Sequence, residues 1–210
     1  MSHPMTGSTG DNSITAPLKT RTVDFTGKMV RWICILLFLF AAIQLFYGIY
    51  LAILPQERFS VQMTQESWWI QPDGDAFSLS SRIPFSVLPA VESELHSPKM
   101  AQLSSLFASW LTCLLWGGCF FQVDAVLSCI RTGHTPFTAE NSRRVRILGL
   151  LQIAAALLPS LLQSMLIWLL ASGSFFWQLP LDWIPGLLTL ALSCVFAYGS
   201  QLQEEYDQTL

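Results

Sequence analysis

Four apolar runs divide this chain, and a chain so divided has few folds open to it. They cover residues 29–54, 103–130, 145–171 and 183–200. At about 1.5 Å of rise per residue, the three longer runs exceed the roughly 30 Å hydrocarbon core of a bilayer. The fourth, "WIPGLLTLALSCVFAYGS", reaches the lower end of the spanning range. In lipid every backbone N–H and C=O must find its partner inside the protein, which leaves helices or a closed barrel. Continuous apolarity over this length reads as helix, because barrel strands are short and alternate. Composition agrees, with 52% hydrophobic and 12% charged residues, about half the charged share of an average soluble domain. The first run is too long for the apolar core of a signal peptide and lacks a small-x-small cleavage site, so it is expected to remain as a span.

Charge sets the orientation, because Lys and Arg accumulate on the cytoplasmic side. Lys19, Arg21, Lys28 and Arg31 precede or open the first run, and Arg131, Arg143, Arg144 and Arg146 lie between the second and third. Arg58, Arg82 and Lys99 lie between the first and second, and none lies between the third and fourth. Eight against three puts both termini in the cytoplasm. The expectation is an all-α integral membrane protein, an up-down-up-down bundle of four transmembrane helices within residues 28–210.

Ahead of the first span and between the first two the chain is polar, and a short outer loop is expected between the third and fourth. Residues 1–27 are rich in Ser, Thr, Gly and Pro and are expected to form a disordered cytoplasmic tail. The outer loop, residues 56–100, holds alternating stretches around "PDGD", which suggests a β-hairpin turning at Pro72 to Asp75. A lone hairpin is marginal in water, so it should pack on the helix ends or on a partner. Trp68 and Trp69 either rest at the membrane surface or fill a contact there. Pro159 should bend the third helix, and neighbouring helices can absorb the bend.

The cytoplasmic turn, residues 131–144, carries the most local information. Gly133 suits the position just past a helix end, and Thr138 suits an N-cap with Glu140 in the first turn behind it. The third helix should therefore start below the membrane and hold Arg143, Arg144 and Arg146 at headgroup level. The chain closes on an acidic tail, residues 201–210, with Glu204, Glu205 and Asp207. Two readings stand. The fourth helix continues past the membrane and its acids clamp the three arginines, or the arginines meet anionic lipid while the tail is solvated.

These two segments carry a family resemblance. "GHTPFTAENSRRVR" and the closing "YGSQLQEEYDQTL" resemble the bacterial membrane family DUF2975. Its pattern is a G-x-P-F-x-x-E-N turn, an Arg-rich helix start and a terminal G-x-x-L-x-x-E-x-D-x-T. Pro136, Phe137, Glu140 and Asn141 match the first part, with Gly133 one residue further from Pro136 than the pattern has it, and Gly199, Leu202, Glu205, Asp207 and Thr209 match the last. The resemblance implies a multi-pass protein of the bacterial inner membrane and brings no activity. It also implies a regulatory pairing, since many relatives are encoded beside small helix-turn-helix transcription regulators.

No reaction can be read here. His3 lies in the expected disordered tail, His96 on the outer side and His134 in the cytoplasmic turn, so they form no cluster, which removes a histidine metal centre or a bis-histidine haem. No Walker loop, G-x-S-x-G or H-E-x-x-H occurs. The five cysteines all lie in apolar runs and read as small hydrophobes. Asp124 is the one acid inside an apolar run, and an intramembrane acid marks function or a structural ion pair, here with Arg131 or an arginine of the third helix. The expected function is non-enzymatic and cofactor-free. It is that of an accessory or regulatory protein in contact with lipid and a protein partner, such as a transcription regulator or a larger membrane complex. Direct nucleic-acid binding is not expected. A small transporter or channel subunit with a polar path around Asp124 is the second reading, and a membrane anchor for a redox complex the third.

Overall fold

The computed structural model describes residues 16–73, 80–85, 87–88, 96–132, 137–172 and 175–209, leaving aside the side chains of residues 16–23, 172, 207 and 209. Four helices account for most of it: α1 (Ala16–Ile53), α2 (Pro98–Arg131), α3 (Ala139–Ile167) and α4 (Ile184–Thr209). All four are long and apolar enough to cross a membrane. The helical apolar runs thus stand as expected. The first boundary does not: α1 begins at Ala16, so residues 16–27 are helical where a disordered tail was expected. Residues 1–15 lie outside the description. The stretch from Ala16 to Lys28 contains no proline beyond its second position, so the membrane-anchored helix can propagate backward at little cost.

Neighbouring helices run antiparallel. Cys34 Sγ donates to Gly117 O at 3.5 Å and Gln44 Nε2 to Ser109 Oγ at 2.7 Å, which aligns α1 with α2. Gln163 Nε2 donates to Ser105 Oγ at 3.0 Å, and Leu151 packs on Gly118, which aligns α2 with α3. Each helix packs on the next in sequence, while α1 and α4 share no comparable interface among the described residues. The up-down-up-down order therefore forms an open row. α3 runs unbroken through the buried Pro159 and ends in a π turn, Trp168–Ser172.

Between α1 and α2 stands a three-stranded antiparallel sheet of β1 (Phe59–Met63), β2 (Ser67–Pro72) and β3 (Ser81–Pro84), in that order. One strand more than the expected hairpin is present, because the chain also reverses at Thr64, whose N–H and hydroxyl both donate to Ser67 O. Gly74 and Asp75 of the proposed "PDGD" turn lie outside the description, though the strands before and after it pair as expected. The sheet does pack on the helix ends. Phe59, Ile70 and Ile83 share one core with Leu51 of α1, Leu54 just past its end, Ala101 of α2 and Ile167 of α3. Trp68 fills a contact, its indole N–H donating to Leu88 O at 3.0 Å and its ring set edge-on to Phe85. Trp69 is the exposed member of the pair.

Lys99 locks this end. Its Nζ donates to Ala52 O at 2.8 Å and Leu54 O at 2.6 Å, the last carbonyls of α1. Such carbonyls have no intrahelical donor. Lys99→Met should therefore lower stability by about 1–2 kcal/mol, read as a reduced unfolding midpoint in detergent.

α4 is placed by α3, and its register was not foreseen. Gly186 meets Gly149 and Ile153, Thr189 Oγ1 donates to Gln152 Oε1 at 2.7 Å, and Ser142 Oγ donates to Ser193 O at 3.1 Å. The fourth helix thus starts beside the middle of α3. Residues 175–183 run down the flank of α3 to reach that point, with Trp177 Nε1 donating to Ser160 Oγ at 3.2 Å. A short loop outside the membrane was expected here. Pro180 keeps the segment from continuing as helix, Pro185 in the first turn of α4 suits a helix start, and the apolar side chains Phe175, Leu179 and Leu181 tolerate lipid contact.

Candidate functional site

At the end where α1 begins and α4 finishes, charged groups form a tier across three helices. Asp124 of α2 pairs with Arg31 of α1 at 3.2 Å and with Arg131, two turns on, at 3.6 Å. Arg131 also donates to Ser128 Oγ at 2.7 Å, and its guanidinium lies against Gly27 of α1. Arg144 of α3 pairs with Glu140 and donates to Ala125 O of α2 at 2.9 Å. One acid and three arginines thereby fasten α1, α2 and α3 at one level. From Arg31 to Ile53, α1 rises roughly 33 Å, close to a bilayer's hydrocarbon thickness. The tier therefore marks one membrane boundary and the sheet the other. A charge sited there keeps its head in the interface while its helix stays in lipid.

Among the described side chains, the expected clamp between the acidic tail and Arg143, Arg144 and Arg146 is not formed. α4 does continue as a helix to Thr209. However, Ser193 already stands level with Ser142, so Glu204 lies about 16 Å further out along the axis. Among the described side chains, neither Glu204 nor Glu205 pairs with an arginine; the side chain of Asp207 lies outside the description. Arg143 and Arg146 are exposed. The early start of α4 is the physical cause, since it carries the acids past the arginines before the helix ends.

The motif residues nevertheless come together. Thr138 caps α3 as expected, its Oγ1 accepting from Asn141 N–H at 3.1 Å, with Glu140 in the first turn and Asn141 fully buried. Phe137 packs on Phe196 of α4 with ring centroids 5.4 Å apart and planes tilted by 46°. It also lies against Gly199, where a methyl group would stand 2.7 Å from its ring. The turn and the chain's closing segment are therefore two halves of one contact. Gly133 and Pro136 fall outside the described residues.

Past that contact, α4 leaves an apolar stripe uncovered. Val195, Tyr198, Leu202 and Tyr206 are all exposed and recur at helical spacing. Phe196 and Gly199 occupy the face turned to Phe137. A second polar place lies at mid-height, where Asp182 and Pro185 meet Thr112 of α2 and Gln152 of α3 around a cavity of about 400 Å³. Sequence reasoning passed over Asp182 because it sits in a presumed external loop. The signal was available in "FFWQLPLDWIP", an acid set among apolar residues and prolines with none of the usual loop polarity.

A row of four spanning-length helices, charged at one boundary and closed by a sheet at the other, defines a multi-pass membrane protein. Within that class the chain belongs to the family described as protein of unknown function DUF2975, whose model matches residues 80–210. No curated protein and no solved structure matches it.

Proposed function

We propose that this chain is a non-enzymatic regulatory or accessory protein of the bacterial inner membrane, with both termini cytoplasmic, acting through contacts with another protein. The exposed stripe of Val195, Tyr198 and Leu202 on α4 carries the reading. Ser200 to Thr209 lies outside the charged tier, where no lipid tail is available to cover Leu202. An amphipathic helix of this kind is a standard means of docking into an apolar groove, read out at i, i+3, i+4 and i+7 spacing. Glu204 and Glu205 flank the stripe with negative charge and favour a basic rim on the partner. Orientation rests on the excess of Lys and Arg at the tier, and the exposed Arg143 and Arg146 suit anionic headgroups there. Engagement of Asp124 by two arginines speaks against a transport path built on that acid.

The test is a mild-detergent pull-down of tagged protein from its native host, with partners identified by mass spectrometry. Wild type is expected to retain a stoichiometric partner that Tyr198→Ala with Leu202→Ala loses. Retention of the same partner by the variant would move the contact to the sheet or the spans. A folded wild type that brings nothing down would overturn the reading.

A further inference from the structure

We infer that the cavity at Asp182 is a binding site for a lipophilic organic cation, a protonated amine or quaternary ammonium held within the membrane. The inference goes beyond the protein-contact reading and does not depend on it.

Depth comes first. Gln152 lies two turns above Arg144 on α3, about 12 Å from the charged tier, and Thr112 lies about 18 Å above Asp124 on α2. Both line the cavity with Asp182. In a hydrocarbon core of roughly 30 Å, that is the middle. Shifting the membrane to make α4 span it fully would submerge Arg31, Asp124, Arg131 and Arg144 together, so the tier fixes the placement.

Asp182 has no hydrogen bond or ion pair among the described residues, in contrast to Asp124 with its two arginines. An acid without a partner at that depth is costly, and it is kept where it serves a ligand or an ion path. Its surroundings select the ligand. Gln152 accepts from Thr189 through Oε1 and leaves its amide N–H₂ without a protein acceptor. Thr112 gives its hydroxyl proton to Ala108 O at 2.8 Å and keeps its oxygen lone pairs. The rest of the lining is apolar or aromatic, made of Ala155, Ala156, Pro185 and Trp116. A carboxylate and an indole lining one cavity suit an organic cation, the first by charge and the second through its π cloud. A bare metal ion would need several oxygen ligands converging at about 2.0–2.6 Å, and a single carboxylate in about 400 Å³ does not supply them. The volume instead falls in the range that encloses a small organic molecule.

Tetraphenylphosphonium, permanently charged and aromatic, is the probe. Its binding to the purified full chain in neutral detergent would be measured by equilibrium dialysis. Wild type should bind it saturably at about one per chain. Asp182→Asn should weaken binding at least tenfold, and Trp116→Leu several-fold, while Asp182→Glu keeps most of it and Glu204→Gln all of it. The Asp182 side chain is exposed and makes no hydrogen bond or ion pair among the described residues, so Asp182→Asn should elute in size exclusion as wild type does. Equal binding by wild type and Asp182→Asn, or no saturable binding by wild type, would overturn the assignment. Because no partner protein is present, either result is independent of the pull-down.

Discussion

Gly149→Ala should lower stability in detergent by about 1–3 kcal/mol and loosen α4 from the rest of the protein, whereas Gly48→Ala should not destabilise at all. Both glycines lie inside helices, so alanine gains the same propensity at each, up to about 1 kcal/mol. What differs is the space. A methyl on Gly149 would stand 2.8 Å from Leu190 Cγ, 2.9 Å from Leu190 N and 3.0 Å from Gly186 O. Two of those three atoms are backbone and cannot rotate aside. On Gly48 nothing lies within 4 Å. Lipid offers little hydrophobic drive for helix association, so close packing of small residues has to hold α3 and α4 together. Because α4 has no comparable interface with α1, separation from α3 frees it. Thermal unfolding of the two variants, together with protease cutting of the 175–183 segment, would show it. Equal stability of both variants would mean that the Gly149–Gly186 contact is looser than its geometry requires.

Asp124→Leu should cost about 2 kcal/mol and weaken the hold of α1 on α2. The figure lies between the 0–1 kcal/mol of an exposed ion pair and the 3–5 kcal/mol of a buried pair broken on one side. The Asp124 side chain is 18% exposed and Arg131 24%, but Arg31 is 59% exposed and can turn to the interface. Most of the loss therefore comes from Arg131, left beside Gly27 with only Ser128 to receive its protons. Removing Arg31 and Arg131 as well, as leucines, should recover much of the loss, since no uncompensated charge remains. The unfolding midpoints of the single and triple variants decide it. A triple variant no better than Asp124→Leu would show that Asp124 acts through packing and not through charge.

Much of the architecture was legible because its causes are local. Apolar length gave the spans, and Thr138 with Glu140 gave the start of α3. The pairing of Asp124 with Arg131 was among the expected arrangements, whereas its pairing with Arg31 of α1 was not. The first turn of the sheet was missed because Thr64, Gln65 and Glu66 lack the Gly or Pro that announces a tight reversal. The helical start at Ala16 was missed because polar composition was weighed without the long helix that follows it.

The acid–arginine clamp failed for a different reason. Charge complementarity in a sequence says that two groups attract, and it does not say how far apart along their axes two helices will lock. By itself the sequence determined that this chain lives in a membrane, how often its helices can cross, and which end carries the charge. Only the tertiary structure decided that α4 begins halfway up α3, that its acids overshoot the arginines, and that Asp182 stands at mid-depth. Axial register is set by where small residues of two helices meet, here Gly149 against Gly186. That contact belongs to neither helix alone.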